Sequence, residues 1–151
     1  MNIEKLERVR DLIANAPDVH MPTWVTKTDE CGTVGCICGW AALDMGVVRE
    51  ARPGFRSQRL NKDIPCVRDN IDKGLADLKG TYREARSTEA WDFFNFGKGV
   101  FELTDGEAGA LFNHANWPNN FRTAYDSAKT PEARKAATVA RIDHFIQTKG
   151  K

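Results

Sequence analysis

The sequence has neither an excess of charge of one sign nor a long apolar run. Its 151 residues carry 22 Lys and Arg against 21 Asp and Glu, so the formal net charge is +1. A chain so close to neutral lacks the overall field that draws a protein onto nucleic acid or an anionic membrane surface. No apolar stretch approaches the roughly twenty residues that a membrane-spanning helix needs. We therefore expect neither a membrane nor a nucleic-acid partner.

The sequence also lacks a secretory signal segment, internal repeats, low-complexity tracts and interdomain linkers. Its first residues are charged and helix-forming, not basic and then apolar. Hydrophobic residues make up 41% of the chain and charged residues 28%, which is typical of globular proteins. We expect one globular helical domain over residues 1–151, located in a cytoplasm where its 4 cysteines stay reduced.

Apolar residues recur at helical spacing, and capping patterns indicate where several helices begin. Asn2 can cap a first helix. Thr104 and Glu107 match the capping box, and Thr130 precedes a Pro–Glu pair that favours a helix start. Strand-like alternation is scarce. The sequence therefore predicts an all-α fold with room for one short strand or β hairpin.

The spacing also predicts details of three later helices. One should run from Cys66 to Leu78 and end at Gly80, and the next should open at Ser87 or Thr88. On the last helix, four residues should form the inward face: Ala136, Val139, Ile142 and Ile146.

A nearly charge-free segment lies near the middle of the sequence. Between Val34 and Met45 the only charged residue is Asp44, and a helix that is apolar all round is usually buried all round. Thr33 can cap this helix and Gly46 can end it. The sequence predicts a single compact domain around a buried central helix at about residues 34–45.

Three cysteines lie close to the predicted start of this helix: Cys31, Cys36 and Cys38. Packing is the first interpretation, because free cysteine behaves as a small buried hydrophobe. A zinc site needs four ligands, and His20, Cys31, Cys36 and Cys38 would be the set, with His20, Cys31 and Cys36 its main candidates; C-x4-C-x-C, however, is not the spacing of a zinc knuckle. Cys36 and Cys38 also point apart on a regular helix. We expect neither a metal nor another cofactor.

The same segment has two chemically active interpretations. Cys36 or Cys31 could be a nucleophile, because a helix N-terminus stabilises a thiolate, and His114 is a candidate base. This glycine- and cysteine-rich helix start is similar to that of papain-type active-site helices, although the β-rich partner subdomain of those enzymes is missing.

In the second interpretation, the helix start binds an anion through backbone N–H groups. Its candidate ligand-binding residues come from the glycine-rich turn, the helix after it and the basic loop 49–62: Gly32, Thr33, Gly35, Trp40, Arg52 and Arg56. The turn lacks the Lys-Ser/Thr ending of a P-loop, so a nucleoside triphosphatase is not predicted.

Aromatic side chains crowd residues 91–121. Phe93, Phe94 and Phe96 cover different faces of one predicted helix, so helical spacing cannot turn all of these rings inward. A thick aromatic core is the favoured interpretation. An aromatic-lined pocket for a base, a nucleotide or a partner helix is the alternative.

Two motifs together resemble a group of small uncharacterised proteins of bacteriophages and bacteria. They are CGTVGCICGWA, from Cys31 to Ala41, and LTDGEAGALF, from Leu103 to Phe112, followed by Trp117. The group shares a CGTxxCxAGxA-like string and a later LTxxEAxxLF string with a tryptophan after it. Residue 38 is usually alanine there, so Cys38 departs from the pattern. The resemblance implies a phage-like setting and a location in the host cytoplasm.

These observations favour a non-enzymatic binding protein. We expect a phage accessory protein that binds a host protein, as in counter-defence, or that sequesters a small anionic, nucleotide-like ligand. Two alternatives stay open. The first is a cysteine-dependent enzyme or redox protein using Cys36 or Cys31, and the second is a structural or virion-associated module.

Overall fold

The computed structural model describes residues 1–22, 25–28, 32–50, 58–88 and 91–150. Within these ranges the chain forms eight α-helices: α1 (Ile3–Asn15), α2 (Ile37–Asp44), α3 (Pro65–Leu75), α4 (Gly80–Arg86), α5 (Asp92–Phe101), α6 (Asp105–Phe112), α7 (Asn119–Asp126) and α8 (Pro131–Gln147). A short 3-10 helix, His114–Asn116, lies between α6 and α7. The predicted mainly α-helical fold is confirmed.

Two pairs of short antiparallel strands accompany the helices, where at most one hairpin was expected. Strand β1 (Val25–Thr28) pairs with β2 (Gly32–Gly35), and β3 (Val48–Glu50) pairs with β4 (Gln58–Leu60). All four strands are three or four residues long. Segments this short leave little alternation in a sequence.

The first hairpin changes where the central helix begins. Gly32–Gly35 is a strand, so Thr33 is not the helix cap that the sequence favoured. Cys36 is the N-cap instead, and its Sγ accepts a hydrogen bond from the Gly39 N–H at 3.4 Å. The helix therefore spans Ile37–Asp44 and not residues 34–45.

Three predicted helix caps are confirmed. The Asn2 side chain accepts a hydrogen bond from the Lys5 N–H at the start of α1. Thr104 and Glu107 form a complete capping box on α6, with the Glu107 carboxylate accepting from the Thr104 N–H at 2.7 Å. Thr130 caps α8. Capping is a local side-chain geometry, so it can be read from a few neighbouring residues.

Other helix boundaries differ from the prediction. Gly80 begins α4 and does not end α3, which stops at Leu75. Helix α5 begins at Asp92, after the predicted Ser87 or Thr88, and α7 was not anticipated. The buried face of α8 is rotated from the predicted one and consists of Ala137, Thr138, Arg141, Ile142 and Phe145.

The apolar core extends from α1 to α8, and α5 shares its centre with α2. Every residue of α5 is buried. Helix α3 packs tightly across α5 at two glycines. A Cβ on Gly74 would lie 2.0 Å from the Asn95 carbonyl oxygen, and one on Gly99 would lie 1.8 Å from that of Asn70. Within the described ranges, no helix combines the length and apolar character that crossing a bilayer requires.

Candidate ligand-binding cleft

A cleft of about 400 Å³ lies between the turn that follows α1 and the helices α4, α5 and α6. Side chains reach it from five places: the turn after α1, the end of α4, the start of α5, helix α6 and the segment of the 3-10 helix. Its main lining residues are Met21, Pro22, Arg86, Trp91, Phe94, Asp105, Phe112, Asn113, His114 and Asn116. Aromatic walls with a few polar groups are typical of small-molecule sites, which commonly enclose about 300–1,000 Å³.

Aromatic rings form one wall of this cleft. Trp91 and Phe94 meet edge to face with ring centroids 5.4 Å apart, and Phe94 meets Phe112 in the same way at 5.8 Å. The Arg86 guanidinium carbon lies 4.2 Å from the centroid of the Trp91 ring. A guanidinium over an indole face is a favourable cation–π arrangement, and it fixes the plane of both groups.

Charges of both signs meet beside these rings. Arg86 Nη1 donates to Asp105 Oδ1 at 3.0 Å, and Lys98 Nζ lies 3.5 Å from the same oxygen. Lys98 is buried and also pairs with Asp77. Burial raises the pKa of Asp77, but the hydrogen bond and the charge of Lys98 lower it more, so the pKa lies below its usual value. The network holds Arg86 and Asp105 in place beside the aromatic wall.

His114 also lines the cleft. Its Nε2 lies 3.6 Å from Asp126 Oδ1, and its ring centroid lies 5.5 Å from that of Tyr125. The Tyr125 hydroxyl accepts a hydrogen bond from the Met21 N–H at 2.8 Å, which positions the turn that lines the cleft. Burial raises the pKa of Tyr125, so this hydroxyl stays neutral near pH 7.

Hydrogen bonds between side chains and the backbone fix the segment that follows α6. Trp117 Nε1 donates to the Leu111 carbonyl at 2.9 Å, and Asn116 Nδ2 donates to that of Gly109 at 3.2 Å. Asn113 caps the 3-10 helix. The cleft therefore lies between preformed elements, which lowers the entropic cost of binding.

The cysteines at the start of α2 lie in the core. Cys36 and Cys38 are 1% and 0% exposed, and a Cβ on Gly97 would lie 2.4 Å from Cys38 Sγ. Burial raises the pKa of Cys36, but hydrogen bonds from the Cys38 thiol and the Gly39 N–H outweigh it and lower the pKa. Burial and the neighbouring Cys36 raise the pKa of Cys38 well above its usual value. Neither thiol lines the cleft that His114 lines.

The remaining candidates from the sequence are not gathered at one place in the described part of the chain. Gly32, Thr33 and Gly35 form strand β2, and the Gly35 carbonyl accepts from the His20 N–H at 3.2 Å. Trp40 is half-buried on α2, where its Nε1 is buried without a hydrogen-bond partner among the described residues. Cys31, Arg52 and Arg56 lie outside the described residues.

The proposed metal ligands include Cys31, which the structure does not describe. Among the residues that it does describe, no group of three or more His, Cys, Asp or Glu side chains is arranged to hold a metal ion.

No protein-family model, curated protein or solved structure matches this chain.

Two central residues of the cleft were not predicted as site residues. The sequence pattern indicates only a helix start at Asp105, although the motif that contains it also supplies Phe112. Arg86 has no local signal, because its neighbours form an ordinary polar helix. The aromatic crowding at 91–121 was the one signal that pointed toward this place.

Proposed function

We propose that the protein is a binding protein that takes a small, planar, anionic ligand of nucleotide-like shape into the cleft between α5 and α6. The observation that carries the proposal is the Arg86 guanidinium, held 4.2 Å over the Trp91 ring at the wall of an aromatic cleft. The cleft therefore places a positive charge next to an aromatic ring on which a base can stack.

The chemistry of the walls fits the two halves of such a ligand. Trp91 is half-buried at the cleft and offers ring surface to a heteroaromatic base, while the buried Phe94 and Phe112 form the apolar wall next to it. Arg86 offers planar N–H donors to a phosphate or carboxylate, and His114 faces the same space. Asp105 offers acceptors to the donor groups of a base. A nucleotide would use each of these features.

The phage-like setting supports a sequestering role. The chain resembles the phage and bacterial group in the LTDGEAGALF motif, and Asp105, Gly109 and Phe112 of that motif line the cleft. The cysteine-dependent alternative gains no such support, because both thiols described at α2 are buried away from His114. We therefore favour ligand capture over thiol chemistry.

Direct binding measurements test the proposal. Purified protein is titrated with nucleoside monophosphates, cyclic dinucleotides and ribose 5-phosphate, using calorimetry and thermal shift. Stacking of one base on an aromatic side chain contributes about 1–3 kcal/mol, so Trp91→Ala should weaken binding of the best nucleotide by about five- to 150-fold. Arg86→Gln should weaken it similarly, because it loses the charge-assisted hydrogen bonds.

Arg68→Gln is the matched control, because Arg68 is exposed on α3 and outside the cleft. It should bind as tightly as the parent chain. If no nucleotide binds, or if Arg68→Gln weakens binding as much as Arg86→Gln, the proposal is wrong.

A further inference from the structure

Four charged side chains of alternating sign lead from the outer surface of the protein to the cleft. Asp77, whose side chain is 49% exposed just after α3, pairs with the buried Lys98. Lys98 Nζ lies 3.5 Å from Asp105 Oδ1, and Arg86 Nη1 donates to that same oxygen at 3.0 Å. We call these four side chains the charge row. Only Asp105 and Arg86 of the row line the cleft.

The two cations of the charge row compete for Asp105. Both approach Oδ1, and two cations at one oxygen repel each other, so a shift of Lys98 toward that oxygen weakens its attraction for Arg86. Asp77 opposes such a shift, because it is the nearer partner of Lys98 and holds the ammonium on its own side. The charge of Asp77 therefore strengthens the pair that Arg86 forms with Asp105.

The position of Arg86 also depends on aromatic rings. Its guanidinium carbon lies 4.2 Å from the centroid of the Trp91 ring and 5.0 Å from that of Phe94. Contacts with ring faces fix the plane of a guanidinium, while its N–H groups form hydrogen bonds within that plane. A weaker pair with Asp105 therefore turns donors of Arg86 toward an anionic ligand without moving the guanidinium away from the cleft.

We propose that Asp77 is a positioning residue that limits the affinity of the cleft for anions, and that it acts on Arg86 through Lys98 and Asp105. The inference rests on the proposed function, because it concerns the same cleft and the same class of ligand. When the charge of Asp77 is removed, Lys98 moves toward Asp105 and Arg86 binds the ligand more strongly. The expected sign is diagnostic, because a merely structural loss at Asp77 weakens binding.

Calorimetry with the full chain tests the inference, using AMP, GMP, CMP, UMP and the corresponding nucleosides. Asparagine has the shape of aspartate and keeps an acceptor oxygen for Lys98, so Asp77→Asn removes only the charge. It should tighten binding of the best monophosphate about two- to thirtyfold, the range for coupling through side-chain networks. Binding of the corresponding nucleoside should stay within about twofold of the parent chain, because the nucleoside has no phosphate for Arg86.

Asp69→Asn is the matched control, because it removes an exposed acid of α3 that lies outside the charge row and the cleft. It should leave both affinities within about twofold of the parent chain. Lys98→Met tests the path, because it removes the link between Asp77 and Asp105. It should weaken monophosphate binding, and Asp77→Asn should no longer tighten binding in its presence.

The outcomes separate this inference from the proposed function. If the parent chain binds a monophosphate and Asp77→Asn leaves that binding unchanged or weakens it, the inference is wrong and the proposed function stands. The same holds if Asp69→Asn tightens binding equally, or if the nucleoside gains as much as the monophosphate. If no nucleotide binds to the parent chain, both are wrong.

Discussion

At the scale of single residues, the buried ammonium of Lys98 is the most demanding feature of the structure. It is 2% exposed, and it is the only basic residue on a helix whose other residues are aromatic, glycine or valine apart from Asp92 and Asn95. A charge taken out of water is tolerated when carboxylates and hydrogen bonds surround it. Asp77 and Asp105 supply these partners from two other parts of the chain. Sequence spacing could not reveal this group, because its members become neighbours only after folding.

We expect Asp77→Asn to lower the free energy of unfolding at pH 7 by about 1–2 kcal/mol, because Lys98 then keeps only the more distant Asp105. This loss of stability is small for a buried charge such as Lys98, because the Asp77 side chain is 49% exposed and water screens the interaction between the two. Urea unfolding followed by circular dichroism measures the effect.

The pH dependence of this effect has a definite sign. The pKa of Asp77 is lower in the folded chain than in the unfolded one, because the contribution of Lys98 exceeds that of burial. Its stabilising contribution is therefore present above the ordinary value of about 4 and is lost as the pH falls further. The gap between the parent chain and Asp77→Asn should narrow below about pH 4. Asp69→Asn, an exposed change on α3, should have no comparable effect.

Residue-scale prediction from the sequence succeeded where a side chain bonds to its own neighbours. Asn2, Thr104 and Thr130 cap helices because their oxygens reach N–H groups three residues ahead. Thr33 matches the same pattern, but it belongs to a strand whose partner is Val25–Thr28. The pattern of neighbouring residues that predicts a helix cap contains no information about strand pairing, which competes with the cap at Thr33.

At the scale of elements, the contact between α3 and α5 depends on glycines that allow two backbones to meet. The hypothetical Cβ atoms at Gly74 and Gly99 would contact carbonyl groups, which cannot rotate away as a side chain can. Helix α2 approaches α5 closely at Gly97, where an added Cβ would lie 2.4 Å from Cys38 Sγ. Helical periodicity identifies buried faces but not which helix lies opposite.

We expect Gly99→Ala to destabilise the protein by about 2–4 kcal/mol, because α3 must move away from α5 to admit one methyl group. Gly106→Ala is the matched change: its Cβ would meet nothing within 4 Å, and it lies in α6. Alanine there should stabilise by up to about 1 kcal/mol through helix propensity. Thermal and urea unfolding of both variants measure the difference, and a loss of the same size in both would contradict the packing argument.

The elements that sequence patterns missed are short. Helix α4 has 7 residues and α7 has 8, whereas the correctly located α1 and α8 have 13 and 17. A short helix completes barely two turns, so its apolar stripe contains too few residues to stand out. The side-chain caps that would have marked both starts are missing, since neither helix has a side-chain cap hydrogen bond.

At the scale of the whole molecule, the cleft is assembled from distant parts of the sequence. Met21 reaches it from the turn after α1, Arg86 from the end of α4, and His114 from the 3-10 helix. The aromatic crowding was visible in the sequence, but it fits a core as well as a pocket. Only the packing of α5 against α6 leaves Trp91 half-buried at an opening while Phe96 is fully enclosed.

The two ends of the chain are joined to each other through α1 and α8. Arg10 pairs with Asp143 at 3.0 Å, and Lys135 donates to the Ala16 carbonyl at 2.8 Å. Phe145 of α8 is fully buried in the same continuous cluster as Leu6 of α1. A buried cluster that contains residues of both the first and the last helix favours unfolding of these helices in one cooperative step.

We therefore expect one unfolding transition in urea, with coincident curves from far-ultraviolet circular dichroism and tryptophan fluorescence. Trp40, Trp91 and Trp117 lie on different elements, so fluorescence samples several parts of the chain. Phe145→Ala should cost about 3–5 kcal/mol and shift both curves equally, because the cavity lies in the shared core. Ile3→Ala, at a side chain 45% exposed, should cost under about 1 kcal/mol. Two separated transitions, or a Phe145→Ala shift seen by one probe alone, would mean that the ends fold independently of the centre.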